Sequence, residues 1–142
     1  FQDVYSGLMK LNGEEHYTTL VAAANCAGSL GLLKRVKENK VLLRKTMPLA
    51  RRVLGDSHRI TLKMRWNYAE MLYRDPGTTL DNLREAVTTL EETERTARRV
   101  LGRTHPTVVG MEASLRKAQA ALRAREESDV CDAMAAMTAE GA

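Results

Sequence analysis

Three histidines, His16, His58 and His105, are the residues of this chain most able to do chemistry, because imidazoles bind metals and move protons near neutral pH. Their spacing argues against a shared site. His16 to His58 is 42 residues and His58 to His105 is 47, and each sits at the same place in a recurring local pattern. Equivalent places on stacked units stand on the order of 10 Å apart, judged from ~8–10 Å between packed helix axes, whereas the ligands of one zinc ion lie within ~2 Å of it. The imidazoles are therefore expected to cap helices or pack between repeats, with no metal.

Other reactive side chains are equally unpromising as a catalytic set. Cys26 and Cys131 lie far apart in the chain with no partner at metal-ligand spacing, and free thiols are expected rather than a disulfide. Glu91-Glu92 and Glu126-Glu127 are adjacent in sequence and diverge around a helix. The nine glycines are scattered, and none forms a Gly-x-Gly-x-x-Gly or Walker pattern. No Ser/His/Asp set is present, so the expectation is a non-enzyme with no cofactor.

The elements that carry these residues come from a repeat. Ala-Arg-Arg-Val-Leu-Gly occurs at Ala50 to Gly55 and again at Ala97 to Gly102, each copy followed three residues after its glycine by a histidine. Asn25-Cys26-Ala27 falls on Asn67-Tyr68-Ala69 and Leu30 on Leu72. Lys37-Glu38-Asn39 then matches Arg84-Glu85-Ala86 at the longer offset, which places a five-residue insertion near Asp75-Pro76-Gly77. Leu62, Trp66, Ala69 and Tyr73 recur at helical spacing, as do Leu80, Leu83, Val87, Leu90, Ala97 and Leu101, with the turn signal Pro76-Gly77 between them. Each unit is a helical hairpin, its second helix stopped by a left-handed glycine after Val-Leu. With 44% hydrophobic residues, only 4% aromatic and three prolines, the composition agrees with an all-α chain.

The spacing predicts helices from about Gln2 to Leu11, Thr18 to Leu33, Val36 to Leu54, Arg59 to Arg74, Leu80 to Leu101 and Pro106 to about Glu127, the last opened by Thr104 as N-cap. Val130, Ala133, Met134 and Met137 after Ser128 predict a further, terminal helix that covers the last open face. Pro48 predicts a kink or short break near Arg44 to Met47. The organisation expected is one repeat domain over 1–142. Residues 1–15 end a preceding unit, 16–55 form the first unit, 58–102 the second, and 105–142 the third with its C-terminal cap. Phe1 opens the chain in what reads as the middle of a helix, as in a fragment or a processed form.

Charge and hydropathy narrow the partners. Basic residues number 22 and acidic ones 18, mostly intermixed, which fits solvated helix faces with pairs such as Glu91–Arg95 and Glu94–Arg98 better than a nucleic-acid footprint. A mild preference for acidic partners follows. No stretch approaches the ~20 apolar residues of a membrane span, so a soluble protein is expected, with the cytoplasm as the default compartment.

The ending Ala-Arg-Arg-Val-Leu-Gly-x-x-His-Pro, the frame from Leu54 to Leu72 with Asn67-Tyr68-Ala69, the segment Arg84-Glu85-Ala86, and Gly13 to His16 with Asn25-Cys26-Ala27 together resemble the tetratricopeptide repeats of kinesin light chain and its relatives. A unit of 42 residues is the longer variety of that repeat, whose usual length is ~34. The sequence departs from the family pattern where Tyr17 and Arg59 follow the histidine in place of proline, at the insertion, and at Ser114 in place of asparagine. The resemblance implies a right-handed α-solenoid of antiparallel hairpins, about three units with a C-terminal capping helix.

It also implies a protein-interaction scaffold or adaptor that holds a peptide or helix in the concave groove lined by the first helix of each hairpin. On that face stand Val21 and Asn25 in the first unit, Lys63, Trp66, Asn67, Glu70 and Arg74 in the second, and Lys117 in the third. Asn25 and Asn67 either hydrogen-bond a ligand or bond to neighbouring backbone, and Trp66 is either core packing or a groove platform. The alternative function is a structural subunit fixed in a larger multiprotein assembly through its ends and convex face.

Overall fold

The computed structural model describes residues 1–141, and among them every regular element is a helix. These are α1 (Gln2–Asn12), α2 (Tyr17–Leu32), α3 (Val36–Leu54), α4 (Arg59–Arg74), α5 (Leu80–Leu101) and α6 (Pro106–Glu140). Short connections fold each helix back on the one before it. The even-numbered helices form one layer, α2 against α4 and α4 against α6, whereas α1, α3 and α5 pack mainly on their neighbours in sequence. Alanines at the crossings, Ala23, Ala27, Ala50, Ala69, Ala86, Ala97 and Ala118, are fully buried and let the helices approach closely.

Each even helix opens in the same way. His16, His58 and His105 are the N-caps of α2, α4 and α6, and their Nδ1 atoms accept from the backbone N–H of Thr18, Ile60 and Thr107 at 3.2, 3.1 and 3.1 Å. His58 also packs edge-to-face on Tyr17 of the preceding unit, with ring centroids 5.9 Å apart. All three imidazoles thus cap helices, and His58 also joins two repeats. His105, not Thr104, caps α6, because the ring nitrogen reaches the N–H that an N-cap oxygen usually takes. His58→Ala is expected to lower stability by about 1 kcal/mol and His58→Asn to recover most of it, read by urea unfolding.

The stops are equally repetitive. Gly13, Gly55 and Gly102 have φ of 87, 89 and 89°, but their ψ values of 170, 162 and 157° place them outside the left-handed helical region expected of a helix stop. This backbone is open essentially to glycine alone. The paired arginines before Gly55 and Gly102 tie the unit boundaries. Arg51 meets Asp56 at 2.7 Å, Arg52 pairs with Glu15, Arg98 meets Glu94 at 2.6 Å and Glu112 at 3.0 Å, and Arg99 donates to Ser57 at 3.5 Å. The Arg51 guanidinium holds the Asp56 carboxyl below its usual range.

Three sequence expectations are corrected. No separate helix follows Ser128: α6 continues to Glu140, since Ala and Met are frequent from 128 to 140 and neither Gly nor Pro interrupts that stretch. The C-terminal capping helix is therefore absent, and Val130, Met134 and Met137 lie exposed. The break expected as one outcome of Pro48 does not occur, for α3 continues through it; Arg44 and Pro48 are both exposed, so water can take the carbonyl that the proline leaves free. The insertion is shared between loop and helix. Helices α2 and α4 have 16 residues each, the link 75–79 is two residues longer than 33–35, and α5 has 22 residues against 19 in α3.

Candidate functional site

Helices α2 and α4 wall a groove of about 980 Å³ that continues over the turn between α2 and α3. Its α2 wall has an open strip where Ala24, Gly28 and Gly31 face it, beside Asn25, Ser29 and Leu32. A Cβ on Gly28 would meet nothing within 4 Å, whereas one on Gly31 would lie 3.3 Å from Asn67 Oδ1. Glycine in a helix interior costs about 1 kcal/mol relative to alanine. At Gly31 it gives room for Asn67; at Gly28 no neighbour requires it, and its effect is an open groove.

The α4 wall carries the chemistry. Asn67 is half-buried and its Oδ1 accepts from Asn39 Nδ2 of α3 at 3.4 Å, a partner on a side chain rather than the backbone. Trp66 is held by α6: its ring sits where a Cβ on Gly110 would lie at 2.7 Å, and its indole N–H donates to Ser114 Oγ at 2.9 Å. Ser114 in turn donates to Glu70 Oε1 at 2.7 Å, and Arg74 reaches the same oxygen at 3.4 Å. The serine that stands in place of the repeated asparagine is therefore the acceptor that fixes Trp66, and the indole is both packing and groove wall.

Of the residues singled out from the sequence, Asn25, Lys63, Trp66, Asn67, Glu70 and Arg74 line this groove together. Val21 and Lys117 do not. Val21 is half-buried against the main core cluster, and Lys117 is exposed on α6 outside the α2/α4 space. Asn25 is exposed and makes no side-chain hydrogen bond among the described residues.

Several lining residues escaped the sequence: Phe1 of the leading segment, Lys34 of the α2–α3 turn, Val36 at the start of α3, and Met71 and Pro76. Lys34 adopts φ 57°, and the bonds Lys34 N–H to Gly31 at 3.1 Å and Arg35 N–H to Leu30 at 3.0 Å close the end of α2 around it. Gly31 inside a helical pattern was the one local signal of a close approach.

Exposed side chains at the groove are mainly cationic or apolar. Lys34 and Lys63 take part in no ion pair among the described residues, and Leu32 is 87% exposed. Cys26, on the same helix as Asn25, is buried, and burial pushes its thiol above the usual range. No disulfide links it to the exposed Cys131; both are free. No described helix is long and apolar enough to cross a membrane.

Stacked helical hairpins with an inner helix layer facing a groove define an α-solenoid of the interaction-repeat class. Residues 19–60 match the family model of the tetratricopeptide repeat, which spans α2 and α3 and reaches the start of α4. The matched segment is thus similar to a tetratricopeptide repeat of the 42-residue, kinesin light chain-like type. Among curated proteins no relative matches it. Repeats of this family generally mediate binding to protein partners and are typically non-catalytic.

Proposed function

We propose that this chain is a non-catalytic scaffold or adaptor that holds a peptide or a partner helix in the α2/α4 groove, with Asn25, Lys63, Trp66, Asn67, Glu70 and Arg74 as the contact residues. The observation that carries the reading is the groove itself, in which the small residues Ala24, Gly28 and Gly31 leave space opposite fixed polar and aromatic residues of α4. Such a site takes apolar side chains of a partner along its floor while amides and cations at the rim fix backbone and charge. Lys34 and Lys63 favour an acidic partner.

The test uses a labelled peptide carrying two leucines flanked by glutamates. Lys63→Ala combined with Asn67→Ala is expected to weaken its binding at least tenfold in a calorimetric titration, with the helical signal retained. Unchanged affinity would move the site away from α4.

A second reading has its own observation. On α1, Val4 and Leu11 are 57% and 81% exposed at one end of the solenoid. An apolar end fits a subunit fixed in a larger assembly, for which the groove would be incidental. Substituting Val4 and Leu11 by glutamate should abolish assembly in that case and leave peptide binding unaltered.

A further inference from the structure

The distal part of α6 is a helix without a partner. Its last ties to the body are Arg125 Nη1 donating to the Thr78 carbonyl at 3.2 Å and Arg84 facing Glu126 at 3.8 Å, and from Glu127 to Gly141 every residue is exposed. At ~1.5 Å per residue this segment projects roughly 20 Å beyond the body. Val130, Met134 and Met137, at i, i+4 and i+7, make one apolar stripe and are 58, 63 and 72% exposed.

The charge of this segment sets it apart from the rest of the chain. Residues 126–141 contain Glu126, Glu127, Asp129, Asp132 and Glu140 and no Lys or Arg, while the whole chain has 22 basic and 18 acidic residues. The excess of positive charge therefore resides on the first 125 residues. The α2/α4 groove has the opposite character to the segment, with Lys34 and Lys63 outside any ion pair among the described residues and an apolar surface from Leu32 and Val36. Its walls, 16 residues of helix on each side, span about 24 Å, close to the length of the projecting segment.

From these complementary surfaces we propose that the distal part of α6 is a built-in ligand for the groove, supplied by a second copy of this chain. Val130, Met134 and Met137 of one copy lie on the groove floor of the other, with the acidic flanks against Lys34 and Lys63. The pairing is between molecules because α6 is continuous and runs in the same direction as α4, so the projecting segment leaves its own groove behind. This inference rests on the α2/α4 groove being the binding site. A groove filled by such a segment is closed to other partners until they compete for it, which makes self-association a regulator of binding.

Sedimentation velocity of the whole chain over a wide concentration range tests it. The chain is expected to self-associate, at least tenfold more weakly when salt is raised from ~0.05 to ~0.5 M. Gly28→Leu, which fills the groove, and Met134→Glu, which spoils the stripe, should each weaken association at least tenfold. An equimolar mixture of the two variants should recover a single 1:1 pair, since one brings an intact segment and the other an intact groove.

Undiminished association of Gly28→Leu alone would overturn the proposal in favour of contact between two projecting segments. A chain that stays monomeric yet binds the acidic leucine peptide would overturn self-recognition and leave the groove reading standing; failure of both would remove both. A monomer whose peptide affinity rises on Met134→Glu would show the segment folded back on its own groove, again contrary to pairing between molecules.

Discussion

Gly110→Ala is expected to lower the stability of this chain by about 1–3 kcal/mol, while the same exchange at Gly28 raises it by about 0.5–1 kcal/mol. Both glycines lie within helices and both face the inner layer, so intrinsic helix propensity favours alanine equally at each. Tertiary contact decides the sign. A Cβ on Gly110 would stand 2.7 and 2.9 Å from two ring carbons of Trp66, and the indole cannot retreat without losing its bond to Ser114, whereas a Cβ on Gly28 meets nothing within 4 Å. Urea midpoints read both effects, with the m-value unchanged. A neutral Gly110→Ala would mean that the Trp66 ring is not locked between α4 and α6.

Gly28→Leu should separate stability from binding more sharply. Leucine restores the helix propensity that glycine forfeits in α2 and places four carbons in the groove, so Tm rises while affinity for the acidic leucine peptide falls at least tenfold. Few groove substitutions have this property, because Trp66, Asn67 and Glu70 are each tied to α3 or α6 and their loss disturbs packing as well as contact. Retained affinity in Gly28→Leu, with its melting temperature raised, would place the ligand elsewhere on the molecule.

Much of the fold was legible in the sequence because it is punctuated. Histidine before each even helix and glycine after α1, α3 and α5 bounded these elements to within a residue or so, and the repeated hexapeptide fixed the register of the units. The errors arose where one residue type serves two conformations. Ser128 has the chemistry of an N-cap, yet it lies inside α6, where nothing before it ends the helix. Thr104 has the same chemistry and lost the cap to His105, whose ring nitrogen did the work of an oxygen.

The groove was legible only along its helices. Asn25, Lys63, Trp66, Asn67, Glu70 and Arg74 follow from the resemblance, which puts the first helix of each hairpin on the inner wall, combined with the repeat register, and they line one space. Phe1, Lys34 and Pro76 belong to the ends and turns that close it, positions set by how α1 and the two hairpins stack rather than by any local pattern. The partner of Asn67 was beyond reach for the same reason, since Asn39 is 28 residues away in sequence and meets it only through packing of α3 on α4. Lys117 shares the register of Glu70 but stands on α6, beyond the wall formed by Trp66.

The central claim is that partners are held between α2 and α4, and amide chemical-shift mapping of the labelled chain during titration with the acidic leucine peptide tests it most directly. The account predicts that the largest shifts cluster in residues 24–36 and 63–76, together with the indole N–H of Trp66. Shifts confined to the outward faces of α3 and α5, or to the exposed end of α1, would contradict it.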